Sequence, residues 1–288
     1  MIIKKKPKWI KIKIPKIYKN INKIKNIFNK NKINSVCKEA ICPNLYKCFN
    51  KGIATFMILG NICTRNCNFC NIKKGKPLKI NFNEPIKIFK IVKYIKLKYV
   101  VITSVNRDDL IDGGAKHFYN CIKYIKNIKN IKIEILVPDF RNCMNNALKI
   151  FNFNTPNIFN HNLETIFRIY NKILPDSKYK RSLKILRKFK NIQPKIPVKS
   201  GLMLGLGEQT IEILYIIYKL RNIGVNIITL GQYLQPSYKH QLVKKYITPI
   251  KFNIFKTKAL KMGYNFAFCG VFIRSSYNAN FKYNNYKI

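Results

Sequence analysis

Six of the nine cysteines lie between Cys37 and Cys70, in two triplets. The downstream triplet is Cys63, Cys67 and Cys70, a C-x3-C-x2-C spacing in the stretch NICTRNCNFC. Thiolates are soft ligands, and three so close together suit a soft metal or an iron–sulfur cluster. No fourth Cys or His lies nearby, so a structural zinc site, which closes with four ligands, would need a distant one. A 4Fe–4S cluster on three cysteines leaves one iron without a protein ligand and able to bind a small molecule. The upstream triplet is Cys37, Cys42 and Cys48, in VCKEAICPNLYKCF. Beside the first triplet, a second cluster is the economical reading. Cys121 and Cys143 fall in helical patterns with no partner spacing and read as core, as does Cys269 near the C-terminal end. His117, His161 and His240 have no metal spacing and are assigned to no site.

These ligands need elements to hold them. From residue 53 an apolar, β-rich run is followed by a polar or glycine-bearing turn and then a helical stretch, six times over. The runs are Ala54–Leu59, Tyr99–Thr103, Ile131–Val137, Asn157–Asn160, Lys199–Leu204 and Asn226–Leu230. The helical stretches lie near 85–97, 113–128, 143–151, 179–190, 209–222 and 250–262. Such alternation predicts an α/β fold with a parallel sheet. Six units are two short of a closed eight-fold barrel, so the expectation is a partial (β/α)6 TIM-type barrel. Nearly every unusual residue follows the C-terminal end of a run, where barrels and open α/β sheets place active sites. The expected organisation is residues 1–52 as an N-terminal extension with the upstream cysteines, 53–262 as the barrel, and 263–288 as a C-terminal extension. Residues 1–34, rich in Lys, Ile and Asn, read as an arm over the domain or as partly disordered.

Composition limits the rest. The chain has 288 residues, 47% of them hydrophobic, enough for a sizeable core. There are 56 Lys+Arg against 11 Asp+Glu, a net charge of +45. Yet 48 of the basic residues are Lys and 8 are Arg, with 48 Ile against 7 Ala. Lys, Ile, Asn and Tyr share A/T-rich codons, and the lysines are spread along the whole chain. Codon drift therefore explains the charge better than selection for nucleic acid does, and no nucleic-acid partner is expected. The residues that such drift disfavours become informative, and several of the eleven acids sit in short stretches with Gly, Cys or Arg. No apolar run reaches the roughly 18 residues of a membrane span, and no signal-peptide core is evident. A cytoplasmic location is expected, where clustered cysteines point to metal or catalysis before disulfides.

The C-x3-C-x2-C motif after the first strand resembles the radical S-adenosylmethionine superfamily. With the upstream C-x4-C-x5-C and Arg274-Ser275-Ser276-Tyr277, the chain resembles the lipoyl synthase family within it. ATFMILGNICTRNCNFC, VITSVNRDDLIDGGA, LVPDFR, NHNLET, KSGLMLGLGE and LGQYLQPS agree, from about Val36 to Asn278. Departures are Val271 after Gly270, where the family usually has Pro, Asn278 where His is usual, and a drifted NKILPDSKYKRS.

The resemblance implies two 4Fe–4S clusters and S-adenosyl-L-methionine. Cys63, Cys67 and Cys70 would hold the cluster that binds S-adenosylmethionine at its open iron, yielding a 5′-deoxyadenosyl radical. Cys37, Cys42 and Cys48 would hold an auxiliary cluster whose sulfides are inserted into substrate. Its fourth ligand would be a serine of RSSY, assigned to Ser276 with Ser275 as the fallback. Cofactor contacts are expected from Ser104, Gly113 and Gly114 toward the methionine part and from Asn162 and Glu164 toward the ribose or amino acid. The glycines of 201–208 would let adenine approach the backbone. Expected partners are an octanoylated lipoyl-carrier protein (a lipoyl domain or glycine-cleavage carrier protein), an electron donor such as ferredoxin or flavodoxin, and cluster-assembly machinery. The competing reading is a radical S-adenosylmethionine methylthiotransferase acting on RNA or protein. That enzyme also carries two clusters but would normally bring an RNA-binding domain, and no motif for one is seen.

Overall fold

The structure, a computed structural model, describes residues 5–11, 19–40, 42, 44 and 55–276. Cys48 and Tyr277 lie outside them. The chain divides into two compact units, one built mainly on Ile72–Ile158 with Ile12–Arg65, the other on Phe159–Ser275 with Asn66–Asn71 and Met1–Lys11.

In the first unit, β1 (Asn34–Ser35) runs antiparallel to β2 (Thr55–Ile58). A two-residue pair, β3 (Ile62–Cys63) and β4 (Lys73–Lys74), carries the first ligand cysteine. β5 (Tyr99–Ser104) lies parallel to β2, and β6 (Lys132–Leu136) parallel to β5. All four residues of β2 and the first five of β5 are buried. Such continuous apolar, β-branched runs are what a parallel strand covered on both faces requires. Three helices, Glu84–Ile95, Ala115–Ile125 and Met144–Phe153, connect and cover them. Pro85 sits in the first turn of its helix, where its missing N–H costs nothing. The helix buries Ile88, Ile91 and Val92, an i, i+3, i+4 stripe.

In the second unit, β7 (Ile158–Asn160), β8 (Val198–Leu204), β9 (Ile227–Gln232) and β10 (Phe266–Gly270) are neighbours in that order, all parallel. Helices Phe167–Ile173, Tyr179–Ile192, Thr210–Asn222 and Pro249–Lys261 alternate with them. Helix starts are chemically marked. Thr248 Oγ1 accepts from Lys251 N–H at 3.3 Å, and Glu212 reaches back to Gln209 N–H at 2.8 Å as half of a capping box.

All six expected strands and six expected helices are present. Besides the two-residue strands β1, β3 and β4 and the one-turn helix Val36–Glu39, three longer elements were not anticipated. Lys19–Asn31 is a helix rather than an arm, and its Phe28 is buried and stacked on Phe56 with centroids 5.1 Å apart. β10 extends the parallel sheet inside the stretch read as a C-terminal extension. The seven-residue helix Phe167–Ile173 follows NHNLET. Among the described residues, no helix is long and apolar enough to cross a membrane.

Left-handed backbone gathers just past strand ends: Leu59 after β2 (φ 68°), Phe140 and Asn142 after β6 (46° and 68°), and Glu164 after β7 (70°). Bulky residues there are strained, and such strain clusters at functional sites.

Candidate iron–sulfur centre and cofactor site

The chain leaves β2 through a clamped residue. Leu59 N–H donates to Glu84 Oε2 at 2.9 Å, and its carbonyl accepts from Arg107 Nη1 at 3.3 Å. Glu84 Oε2 also meets His117 Nε2 at 2.8 Å, both side chains buried. Four residues beyond Leu59 stands Cys63, buried in β3. Its Sγ accepts two N–H groups, from Arg65 N and Asn106 Nδ2, each at 3.5 Å. Hydrogen bonds onto a cluster thiolate are one lever that sets reduction potential.

Arg65, two residues beyond, locks the loop. Its Nε and Nη2 fork onto Asp108 at 2.6 and 2.7 Å, and Nη2 also meets Asp139 Oδ1 at 2.6 Å. Burial opposes the guanidinium charge, but the two carboxylates outweigh it and hold Arg65 more firmly protonated than usual. The Arg65 and Asp139 side chains are 3% and 2% exposed. Removing one partner of a buried pair leaves an uncompensated charge. Asp139→Asn is therefore expected to cost about 3 kcal/mol, the low end for such a break because Asp108 remains. A fall in the urea midpoint of the iron-free protein measures it.

The rest of the loop is held by the second unit's own segments. Asn66 N–H donates to Asp176 Oδ2 at 2.6 Å, Asn68 N–H to Ile173 O at 3.0 Å, and Asn68 Nδ2 to Lys172 O at 2.6 Å. Gln241 N–H donates to Asn68 O at 2.8 Å, and His240 Nε2 meets Cys70 O at 3.2 Å. Ser237 Oγ fixes the other His240 nitrogen at 2.9 Å. Cys67 and Cys70 are thus held half-buried at a reverse turn closed by Cys70 N–H to Cys67 O, 3.1 Å.

Past β7, Asn162 Nδ2 donates to Glu164 Oε1 and to Ser275 Oγ, each at 3.0 Å. Glu164 is fixed in its left-handed conformation by its N–H on Gly201 O (2.9 Å) and its carbonyl under Met203 N–H (2.8 Å). Desolvation pushes its carboxyl up to about 7, against the opposing pull of Asn162 and Arg274. Two buried polar atoms have no hydrogen-bond partner among the described residues: Asn162 Oδ1, and Ser104 Oγ at the end of β5.

The upstream triplet is described in part. Cys37 is buried in the one-turn helix Val36–Glu39, whose cap Ser35 Oγ accepts Cys37 N–H at 3.2 Å. Cys42 N–H returns to Cys37 O at 3.1 Å. Burial and the neighbouring Cys42 push the Cys37 thiol up to about 11. At the other end of the chain, Arg274 Nη1 donates to Ile273 O at 2.7 Å and Val271 O at 3.3 Å. Ser275 is engaged twice, its hydroxyl by Asn162 and its carbonyl by the Lys199 ammonium. Ser276, half-buried, has no hydrogen bond on its hydroxyl among the described residues. Among those residues, no three His, Cys, Asp or Glu side chains are drawn together as tightly as a single metal ion requires.

Residues 57–220 match the family described as the Radical SAM superfamily. A lipoyl synthase of Buchnera aphidicola subsp. Cinara cedri (strain Cc) is 58% identical over 98% of this chain and 91% of its own. The chain belongs to the lipoyl synthase family. A lipoyl synthase of Haemophilus influenzae (strain PittGG) is 54% identical, over 96% of this chain and 87% of its own. Methylornithine synthase, of known crystal structure, shares the fold at TM-score 0.56 and 14% identity. That match covers 72% of this chain and 61% of the other. The α/β class of the radical S-adenosylmethionine enzymes, expected from the strand–helix alternation, is therefore the fold of this enzyme.

Membership implies a 4Fe–4S cluster and S-adenosylmethionine, and the residues fit both. Cys63 offers a sulfur already oriented by two N–H groups. Asn162 Oδ1 and Ser104 Oγ are buried without partners, which is costly unless a ligand satisfies them. An ammonium and ribose hydroxyls are donors of the required kind. The buried Cys37 thiol, pushed up by burial and by the neighbouring Cys42, is one that a bound metal would draw into the thiolate form.

Gly113, Gly114 and Gly205 lie where the backbone is closely packed. A Cβ on Gly114 would come within 2.3 Å of Leu59 Cδ1, and one on Gly113 within 2.9 Å of Phe140 Cδ1. Both pack under the strained strand-end residues, and Asp112 caps the following helix through Gly114 N–H at 2.9 Å and Lys116 N–H at 2.8 Å. The close approach open at Gly205 is taken by Gln232 and the Lys245 carbonyl. The backbone N–H groups of Gly205, Leu206 and Gly207 all point at Glu208 Oε2, at 2.9–3.2 Å. His240, Asp176 and Asp139, none assigned from sequence, serve the cysteine loop. The available signals were the acids retained in a Lys-rich background and the LGQYLQPS stretch beside His240.

Proposed function

We propose that the enzyme inserts two sulfur atoms, at C6 and C8, into an octanoyl chain amide-linked to a lysine of a carrier protein. When bound, the cluster and S-adenosylmethionine supply a 5′-deoxyadenosyl radical, strong enough to take hydrogen from an alkyl carbon that no base can deprotonate. Cys63, Cys67 and Cys70 hold that cluster, with Arg65, Asn106, Asp176 and His240 fixing their loop. Asn162 and Glu164 hold the ribose or amino acid of the cofactor, and Ser104, Gly113 and Gly114 meet its methionine part. Cys37, Cys42, Cys48 and Ser276 hold a second 4Fe–4S cluster, which donates the sulfur. An alkoxide is harder than a thiolate and leaves iron more readily, so an oxygen ligand suits a cluster that is consumed.

What supports this reading is the presence of both cysteine triplets and the serine pair in a chain 54–58% identical to known lipoyl synthases. In the same reading, residues 1–52 and 263–288 flank a catalytic barrel, and a lipoyl domain or glycine-cleavage carrier protein is the substrate. The electron donor is a ferredoxin or flavodoxin, assembly machinery rebuilds the spent cluster, and the setting is cytoplasmic. Anaerobic reconstitution tests the cluster count. About eight irons and as many sulfides per chain are expected for two 4Fe–4S clusters. A ceiling of four, with lipoyl peptide still formed, would remove the second cluster.

A further inference from the structure

Lys199 is a buried lysine that no part of the reading above uses for chemistry. It lies on β8, 4% exposed. Side chains alternate along a strand, so Lys199, Gly201 and Met203 share one face of β8. The register sets them beside Ile227, Thr229 and Gly231 of β9. That face is where the 273–275 segment lies. A Cβ on Gly231 would meet Ile273 O at 2.1 Å and Arg274 Nη1 at 3.0 Å. A Cβ on Gly201 would meet Asn162 Oδ1 at 2.8 Å. The two glycines clear the face, and Lys199 reaches the Ser275 carbonyl with its ammonium while Asn162 takes the Ser275 hydroxyl.

We propose that Lys199 is the positioning residue for Ser276, clamping the peptide carbonyl immediately before it so that its hydroxyl is presented for iron. The proposal rests on the reading of Ser276 as a cluster ligand. The physical case is that an ammonium removed from water must gain strong hydrogen bonds, and a charge-assisted bond is roughly twice as strong as a neutral one. The bond falls on the carbonyl of the peptide that links Ser275 to Ser276, so it fixes that peptide whatever the serine side chains do. Asn162 ties the same segment to Glu164, which gives the serine and the cofactor-binding residues a common anchor.

The test uses Lys199→Met, which keeps length without charge, and Lys199→Gln, which keeps a donor. In the full-length iron-free protein, an Arg-specific protease reads the Arg274–Ser275 bond against the seven other arginine sites by mass spectrometry. Both variants are expected to be cut there about tenfold faster, the effect of losing one charge-assisted bond from a local opening equilibrium, with the other sites unchanged. In the reconstituted ⁵⁷Fe enzyme, the Mössbauer signal of the iron with a non-cysteine ligand is expected to weaken as it does in Ser276→Ala. Lys199→Arg is expected to restore both. A wild-type cutting rate at Arg274 in both variants would overturn the proposal, as would acceleration at every arginine, which marks a residue of general stability. If Ser276→Ala makes lipoyl product at the wild-type rate, the ligand reading itself fails. If Ser276→Ala fails while the Lys199 variants keep cutting rate and spectrum, the positioning role alone falls.

Discussion

Replacing Cys63, Cys67 and Cys70 together by Ala is expected to abolish S-adenosylmethionine cleavage and leave about half of the reconstituted iron, one 4Fe–4S cluster of two. The loss is expected to be total because the three residues would be the protein ligands of the cluster whose open iron meets the cofactor. Their loop carries no compensating His or acid in coordinating position: Asp108 and Asp139 are spent on Arg65, and Asp176 on Asn66 N–H. The remaining iron would belong to Cys37, Cys42 and Cys48, which lie upstream of the replaced triplet and are left intact. Iron assay and quantification of 5′-deoxyadenosine in one preparation check it. Cleavage persisting in the triple variant would sink the assignment of the downstream triplet.

Ser276→Ala is expected to remove lipoyl product from an octanoyl-lysine peptide while sparing part of the cofactor cleavage, since Cys63, Cys67 and Cys70 are untouched. Ser276→Cys is expected to keep the auxiliary cluster but release its sulfur poorly, a thiolate being the softer and tighter ligand for iron. Asn162 already holds the Ser275 hydroxyl, so Ser275→Ala should cost far less. Two insertions require two hydrogen abstractions, hence two S-adenosylmethionine per product. A polypeptide whose cluster is not rebuilt should complete about one turnover, because one cubane is consumed per product. Mass spectrometry after a single turnover, with the cluster carrying labelled sulfide, decides the source of sulfur. Unlabelled product would end the donor reading, and a wild-type rate in Ser276→Cys would end the serine's role.

The features legible in the sequence are those with a local signature. Strand runs such as Thr55–Ile58 and Tyr99–Ser104 announce themselves because a parallel strand buried on both faces is close to continuously apolar. The cysteine spacings are equally local, since a short loop fixes how close its thiols can come. The helix Lys19–Asn31 was missed because its Lys- and Asn-rich composition masks the few residues that bury, Ile24 and Phe28 among them. β10 was missed because FAFCG is five residues long with a single buried position.

The sequence by itself determined the order of strand and helix and the family, and it nominated the ligating groups. The tertiary structure decided what holds those groups. Asn66 finds Asp176 at a separation of 110 residues, and Cys70 finds His240 at 170. Arg65 finds Asp108 at 43 residues and, further on, Asp139. Asn162 finds Ser275 at 113 residues, and Lys199 the same residue at 76. No periodicity or spacing encodes such pairs. They exist because parallel strands deliver their C-terminal ends side by side, whatever length of chain lies between, and a buried charge or N–H must be met by whichever polar group that delivery brings near.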